Sequence, residues 1–180
     1  MQKDSRRWAM RAHTAHAHAA LDAGIGAFRT LEEYQAYLKS AAAFRIPIER
    51  RITAAPWPAG LGAWRPRLIE TALLADLADL GLAIEAEIAN AAQVEGLGLF
   101  GTLYVLEGSA LGAQVLYQRA QALGLSETYG ARHLAVLGNN VENWRGFLEH
   151  LEQAEPFDLA AALEASSHTF ALAQTAFGAA

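Results

Sequence analysis

Gly101-Thr102-Leu103-Tyr104-Val105-Leu106-Glu107-Gly108-Ser109-Ala110-Leu111-Gly112 holds two signals that pull against each other. The run is apolar, poor in β-branched residues and without strand alternation, so it reads as part of a long apolar helix over Gly96 to Gly124. Gly108 and Gly112 nevertheless sit inside it, and each costs about 1 kcal/mol relative to alanine in a helix interior. Residues four apart share one helix face, with Ser109 and Ala113 beside them. A face without side chains lets a backbone come close to a flat object, or lets the helix bend over it. Close helix–helix packing through small residues is the alternative, and spacing alone does not choose. Tyr104 lies one turn before Gly108 and Arg119 two turns after Gly112. A polar aromatic and a cation at the ends of a glycine face suit a flat apolar ligand with carboxylates at its edge; each also suits an ordinary rim position.

Outward from this segment the pattern stays helical, because alanine and leucine dominate and no alternating stretch of useful length occurs. A first helix is expected over Asp4 to Ala23, ending at Gly24-Ile25-Gly26. A second begins at Thr30, with Glu33 placed to complete a capping box. Pro47 is expected to interrupt it and start a new turn. Residues 54–62, with two prolines and two glycines, read as a loop. Pro66 then suits an early position of a helix reaching about Leu80, and a shorter helix is expected over Leu82 to Ala92. Ser126 is placed to cap a helix ending near Gly138. Helices over Val141–Gln153 and Phe157–Phe177 complete the chain. The expected fold is all-α, a single-domain multi-helix bundle spanning residues 1–180.

Composition narrows the function. The chain has 180 residues, 53% hydrophobic and 18% charged, which suits one globular core. A formal net charge of -5 argues against a nucleic-acid partner. The absence of cysteine excludes disulfides, thiolate metal sites and a cysteine nucleophile. The polar N-terminus does not open a secretory signal, and glycines and Glu107 break the longest apolar run. No membrane association and a cytoplasmic location are therefore expected. No nucleophile motif or paired-carboxylate site of a hydrolase stands out.

The first helix carries His13, His16 and His18. At about 100° per residue neither of the others shares a face with His18, so a three-histidine metal site is excluded on a regular helix. His13 and His16 read as surface residues. Arg11 lies within roughly 20° of His18 and Asp22 within roughly 40°, with Thr14 flanking the same stripe. A metal-binding histidine commonly donates its other ring N–H to a carboxylate, and Asp22 is placed for that. Arg11 is placed to meet an anionic substituent of a ligand. A buried histidine above a surface aspartate accounts for this segment equally well.

Several segments in order carry a resemblance. They are Met10-Arg11-Ala12-His13-Thr14 through His18-Ala19-Ala20-Leu21-Asp22, then Pro47-Ile48-Glu49, Trp64-Arg65-Pro66-Arg67, Asp76-Leu77-Ala78-Asp79-Leu80-Gly81, the 101–112 segment, and Trp144-Arg145-Gly146-Phe147-Leu148. Together they resemble the heme oxygenase family, and within it the compact bacterial branch that includes bacteriophytochrome-associated enzymes. The resemblance covers nearly the whole chain. It implies that His18 is the proximal heme ligand and metal-binding residue, and that Gly108, Ser109 and Gly112 belong to the kinked distal helix over the reacting face. It implies heme as both cofactor and substrate, with O2 and an external electron donor such as ferredoxin or a reductase. It implies biliverdin, CO and ferrous iron as products; a bacteriophytochrome as biliverdin acceptor and iron acquisition from heme are equally open as the role. Arg11, Arg119, Arg145 and Tyr104 are the candidates for holding the heme propionates, Arg145 mainly through the resemblance. Two departures stand out. Ser109 replaces the aspartate that organises distal water in many relatives, and Ala113 replaces a second glycine. A heme- or bilin-binding protein without turnover is the alternative reading, and a helical scaffold that binds partners but no heme is a third.

Overall fold

The computed structural model describes residues 5–25, 28–83 and 96–178. Among them are eight α-helices: α1 (Arg6–Ile25), α2 (Leu31–Ala54), α3 (Glu70–Asp79), α4 (Leu99–Gly108), α5 (Ala110–Ala122), α6 (Arg132–Gly138), α7 (Val141–Gln153) and α8 (Leu159–Phe177). Short 3-10 turns lie at Ala59–Leu61 and Gly96–Gly98. No strand occurs among the described residues. The expected helix at Leu82 to Ala92 falls mostly outside the described residues.

Two apolar cores flank the middle of the bundle. One joins α1, α4, α7 and α8 around Met10, Phe100, Leu103, Phe147 and Leu151. The other joins α2, α3, α5 and α6 around Tyr34, Leu38, Leu73 and Leu134. In the first, α4 lies against α8, and glycine makes the approach possible. A Cβ at Gly101 would run into the Ala162 carbonyl oxygen and the Ser166 amide nitrogen of α8. By length and composition the 96–122 segment is apolar enough to cross a membrane, yet 56% of its most apolar window is buried inside the protein. Burial against neighbouring helices accounts for its hydrophobicity.

Local signals set some helix ends. Thr30 caps α2 by accepting from the Glu33 amide at 3.2 Å, and Glu33 returns a bond to the Thr30 amide at 3.3 Å. Asp158 caps α8 through the Ala161 amide at 3.0 Å.

Three sequence expectations are corrected. First, α2 runs straight through Pro47. A proline there forfeits a backbone bond and costs about 3 kcal/mol or more. Every residue from Phe44 to Glu49 is buried, and that tertiary packing offsets the cost. Second, α3 starts at Glu70 instead of Pro66 because Glu49 of α2 caps it from outside: its carboxylate accepts from the Ile69 and Glu70 amides at 2.8 and 2.9 Å. Third, Ser126 caps no helix. It closes a turn in which its hydroxyl accepts from the Thr128 amide at 3.3 Å, and α6 starts at Arg132. There Asp76 of α3 accepts from the Arg132 and His133 amides, each at 3.0 Å. Glu107 of α4 acts similarly, accepting from the Asn140 and Asn143 side chains at the start of α7, both at 2.9 Å, and from the Arg67 amide at 2.8 Å.

Candidate functional site

The long apolar helix breaks after Gly108. Ser109 keeps helical dihedrals, but its hydroxyl donates back to the Leu106 carbonyl at 2.6 Å, and the Gly112 amide reaches the Ser109 carbonyl by a tighter i→i+3 bond at 3.2 Å. Back-bonding of this kind bends helices. The bend between α4 and α5 faces α1 across a cavity of about 830 Å³. That volume falls within the roughly 300–1,000 Å³ of cofactor and small-molecule sites. Apolar side chains form most of its wall, and polar groups gather at its two ends.

Eight of the residues singled out from sequence line this cavity: Arg11, Thr14, His18 and Asp22 on α1, with Tyr104, Gly108, Ser109 and Gly112 opposite. Arg119 and Arg145 are not among its lining residues. Arg145 pairs with Glu142 at 2.6 Å and lines a neighbouring cleft, which shares Arg7 and Arg11 with the main cavity. His13 and His16 are exposed, and the His13 ring meets the Ser167 hydroxyl at 2.7 Å. Among the described residues no cluster of three or more His, Cys, Asp or Glu side chains suits a metal ion.

His18 is not a buried core histidine, for its side chain is 61% exposed. Its Nδ1 lies 2.9 Å from the Asp22 carboxylate. That contact fixes the ring and leaves Nε2 as the nitrogen for a ligand in the cavity. Thr14 is buried and donates to the Met10 carbonyl at 2.8 Å. Burial holds the Tyr104 phenol above its ordinary pKa; Arg7, Arg11 and the neighbouring Thr14 hydroxyl only partly oppose this. Tyr104 is therefore a protonated donor at neutral pH.

The glycines answer the question that spacing left open. A Cβ at Gly112 would meet nothing within 4 Å, and one at Gly108 would make only ordinary contact with the Trp144 ring. Helix packing requires glycine at Gly101 but not at Gly112. What Gly112 leaves bare is cavity wall, and a flat molecule lying on α5 would need that space.

The inner end of the cavity holds residues to which sequence reasoning assigned no role. Arg45 is 5% exposed; it pairs with Glu49 at 2.8 Å and donates to the Leu106 and Arg67 carbonyls at 3.1 and 3.2 Å. His133 is 1% exposed, stacks on Tyr37 at 5.9 Å, and places Nδ1 2.8 Å from Asp76. Burial pulls the His133 pKa below its ordinary value against the influence of Asp76. Burial opposes the Asp76 charge, but the His133 side chain and the His133 and Arg132 amides outweigh it and hold the carboxyl low. The pair is thus a neutral imidazole donating to a carboxylate. The His133 Nε2 is then a buried acceptor that meets no hydrogen-bond partner among the described residues, at the wall of a cavity large enough for water. Only a histidine in Ala131-Arg132-His133-Leu134 marked this site in the sequence.

Comparisons with known proteins agree with this geometry. A model of the heme oxygenase family matches residues 71–179, more than half of the chain. The heme oxygenase PigA of Pseudomonas aeruginosa is 39% identical over 92 residues. That alignment covers 49% of this chain and 46% of PigA, so it spans about half the length of this relative. A crystal structure of the NO- and CO-bound heme oxygenase from Neisseria meningitidis superposes with a TM-score of 0.70 at 27% identity, covering 97% of this chain and 93% of that one. On the family match, the whole-length structural likeness and the cavity between α1 and the bent α4–α5 pair, this chain belongs to the heme oxygenase family.

Proposed function

We propose that this protein opens heme to biliverdin, releasing CO and ferrous iron, with O2 and electrons from a ferredoxin or reductase. The observation that carries the reading is the pairing of His18, oriented by Asp22, with a bare Gly108–Gly112 face across one cavity. The residues fit heme: the cavity is mainly apolar, α1 offers the His18 imidazole, and α4 and α5 offer backbone without side chains at Gly108 and Gly112. Heme supplies the iron that binds oxygen and is itself the molecule oxidised.

The protein's own groups do the rest. His18 would hold the iron through Nε2, with Asp22 at its Nδ1 keeping the ring in the tautomer that this requires. The Gly108 and Gly112 backbone, bare of side chains on the cavity wall, would let the other face of a heme lie close to α4 and α5. The Ser109 hydroxyl donates to the Leu106 carbonyl and keeps only acceptor capacity for a water; His133 at the inner end is a second such acceptor. Its Nε2 accepts a hydrogen bond from a water that passes protons inward. Arg7 and Arg11, exposed on the cavity lining, would meet the heme propionates with Tyr104; Arg145, in the adjoining cleft, is paired with Glu142. As in the bacteriophytochrome-associated branch, the biliverdin formed would supply a phytochrome chromophore.

The test is a hemin titration followed by ascorbate or a ferredoxin–reductase system in air with catalase present. A Soret band that forms and then decays into biliverdin absorption is expected, with no band in His18→Ala. A Soret band that persists under reductant would instead make the protein a heme carrier, and no band at all would leave a helical scaffold.

A further inference from the structure

Five aromatic side chains form a file from the cavity wall outward. Tyr104 and Trp144 line the cavity, with ring centroids 5.3 Å apart. Trp144 stacks on Phe147 at 5.8 Å, Phe147 meets Trp64 at 5.2 Å, and Trp64 stacks on Trp57 at 6.2 Å. Three of the chain's four tryptophans lie in this file. α7 presents Trp144 and Phe147 three positions apart on one face, and the segment before α3 supplies Trp57 and Trp64.

Tryptophan and tyrosine lose one electron more readily than other side chains. Tunnelling weakens exponentially with distance, so several short steps between touching rings outrun a single long one. The surroundings of the two outer rings differ in a way that gives the file a direction. Trp64 donates its Nε1–H to the Asn143 carbonyl at 3.1 Å, an acceptor that shares positive charge and makes electron loss easier. The Arg65 guanidinium lies 4.6 Å over the Trp57 ring. A cation there makes electron loss from Trp57 harder, and the buried Trp57 Nε1 meets no acceptor among the described residues to compensate. The favourable resting place for an electron vacancy is therefore Trp64, half-buried and within reach of a small reductant.

We propose that this file carries oxidising equivalents out of the cavity to Trp64, a role that rests on heme being the ligand. Reduction of hydrogen peroxide to two waters at bound iron takes two electrons and two protons. When the heme ring does not supply them, each electron leaves Trp144 and is replaced across Phe147 from Trp64. Trp64 keeps its proton on the Asn143 carbonyl and is restored by a reductant of the ascorbate class. Two such passes convert one peroxide and one ascorbic acid into two waters and one dehydroascorbate. The outcome is protection of the cavity walls when oxygen chemistry miscarries.

The test treats hemin-loaded and hemin-free protein with hydrogen peroxide without reductant, and maps oxygen added to each aromatic residue by peptide mass spectrometry. The expected mark is on Trp64, several-fold above the hemin-free sample. In Trp144→Phe it falls several-fold while Tyr104 gains; in Arg65→Gln, a surface change, it moves outward to Trp57. Equal marking of Trp64 with and without hemin, or marking unmoved by both substitutions, would overturn the route alone. Failure to form a Soret band with hemin would overturn the route together with the heme reading.

Discussion

At the scale of single residues, the glycines of one segment do opposite jobs. Gly101 makes room for the backbone of α8, whereas Gly112 borders open space. Gly112→Ala is expected to raise the stability of the heme-free protein by up to about 1 kcal/mol, since alanine is the better helix former. The same methyl group should weaken hemin binding by intruding on the cavity. Gly101→Ala should lower stability by about 1–3 kcal/mol through overpacking. Urea denaturation of the two variants without hemin checks both signs; equal destabilisation would mean that Gly112 also serves packing. The sequence exposed the cost of each glycine but not its beneficiary, because that depends on a partner from α8. The His18–Asp22 pair was legible for the converse reason: residues four apart on a helix meet whatever the rest of the chain does. His133 was not, since it meets Asp76 from another helix; Arg45 and Glu49 share a face in the same way as His18 and Asp22, but their burial at a cavity depends on the whole bundle.

The same contrast decides which elements could be read. Helix α2 begins where Thr30 and Glu33 said it would, because a capping box is contained in four residues. The starts of α3 and α6 were misplaced, since Glu49 and Asp76 reach them from other helices. The continuity of α2 through Pro47 was missed because propensity cannot weigh the burial around it. Two substitutions separate local from remote capping. Thr30→Ala should cost about 1 kcal/mol, the usual loss of a side-chain cap. Asp76→Ala should cost about 2–4 kcal/mol, the scale for leaving a buried imidazole and two helix-start amides without an acceptor. It unpairs His133, frees two amides and removes a partner of Arg132. Urea midpoints measure both, and a loss at Asp76 no larger than at Thr30 would reduce it to an ordinary cap.

Over the whole molecule, the two cores meet at a cavity lined by His133, which Asp76 holds from behind, and this ties stability to pH. The folded pKa of His133 is depressed, so its contribution is complete above the unfolded value of about 6.5 and is lost as pH falls towards the folded value. The Asp76 pKa is also depressed, so its contribution is complete above about 3.9 and is lost on further acidification. Heme-free protein should therefore lose stability in two stages, the first starting near pH 6.5. Thermal melts of wild type and His133→Gln between pH 8 and 4 check this; a first stage that survives in the variant would assign it elsewhere. The borrowed carboxylates also impose a direction on the polypeptide. Glu49 of α2 starts α3, Asp76 of α3 starts α6, and Glu107 of α4 fixes the first turn of α7. In each case the donor of the signal precedes its recipient in the chain. A nascent polypeptide leaving the ribosome amino end first thus has each later helix's anchor already made when that helix appears.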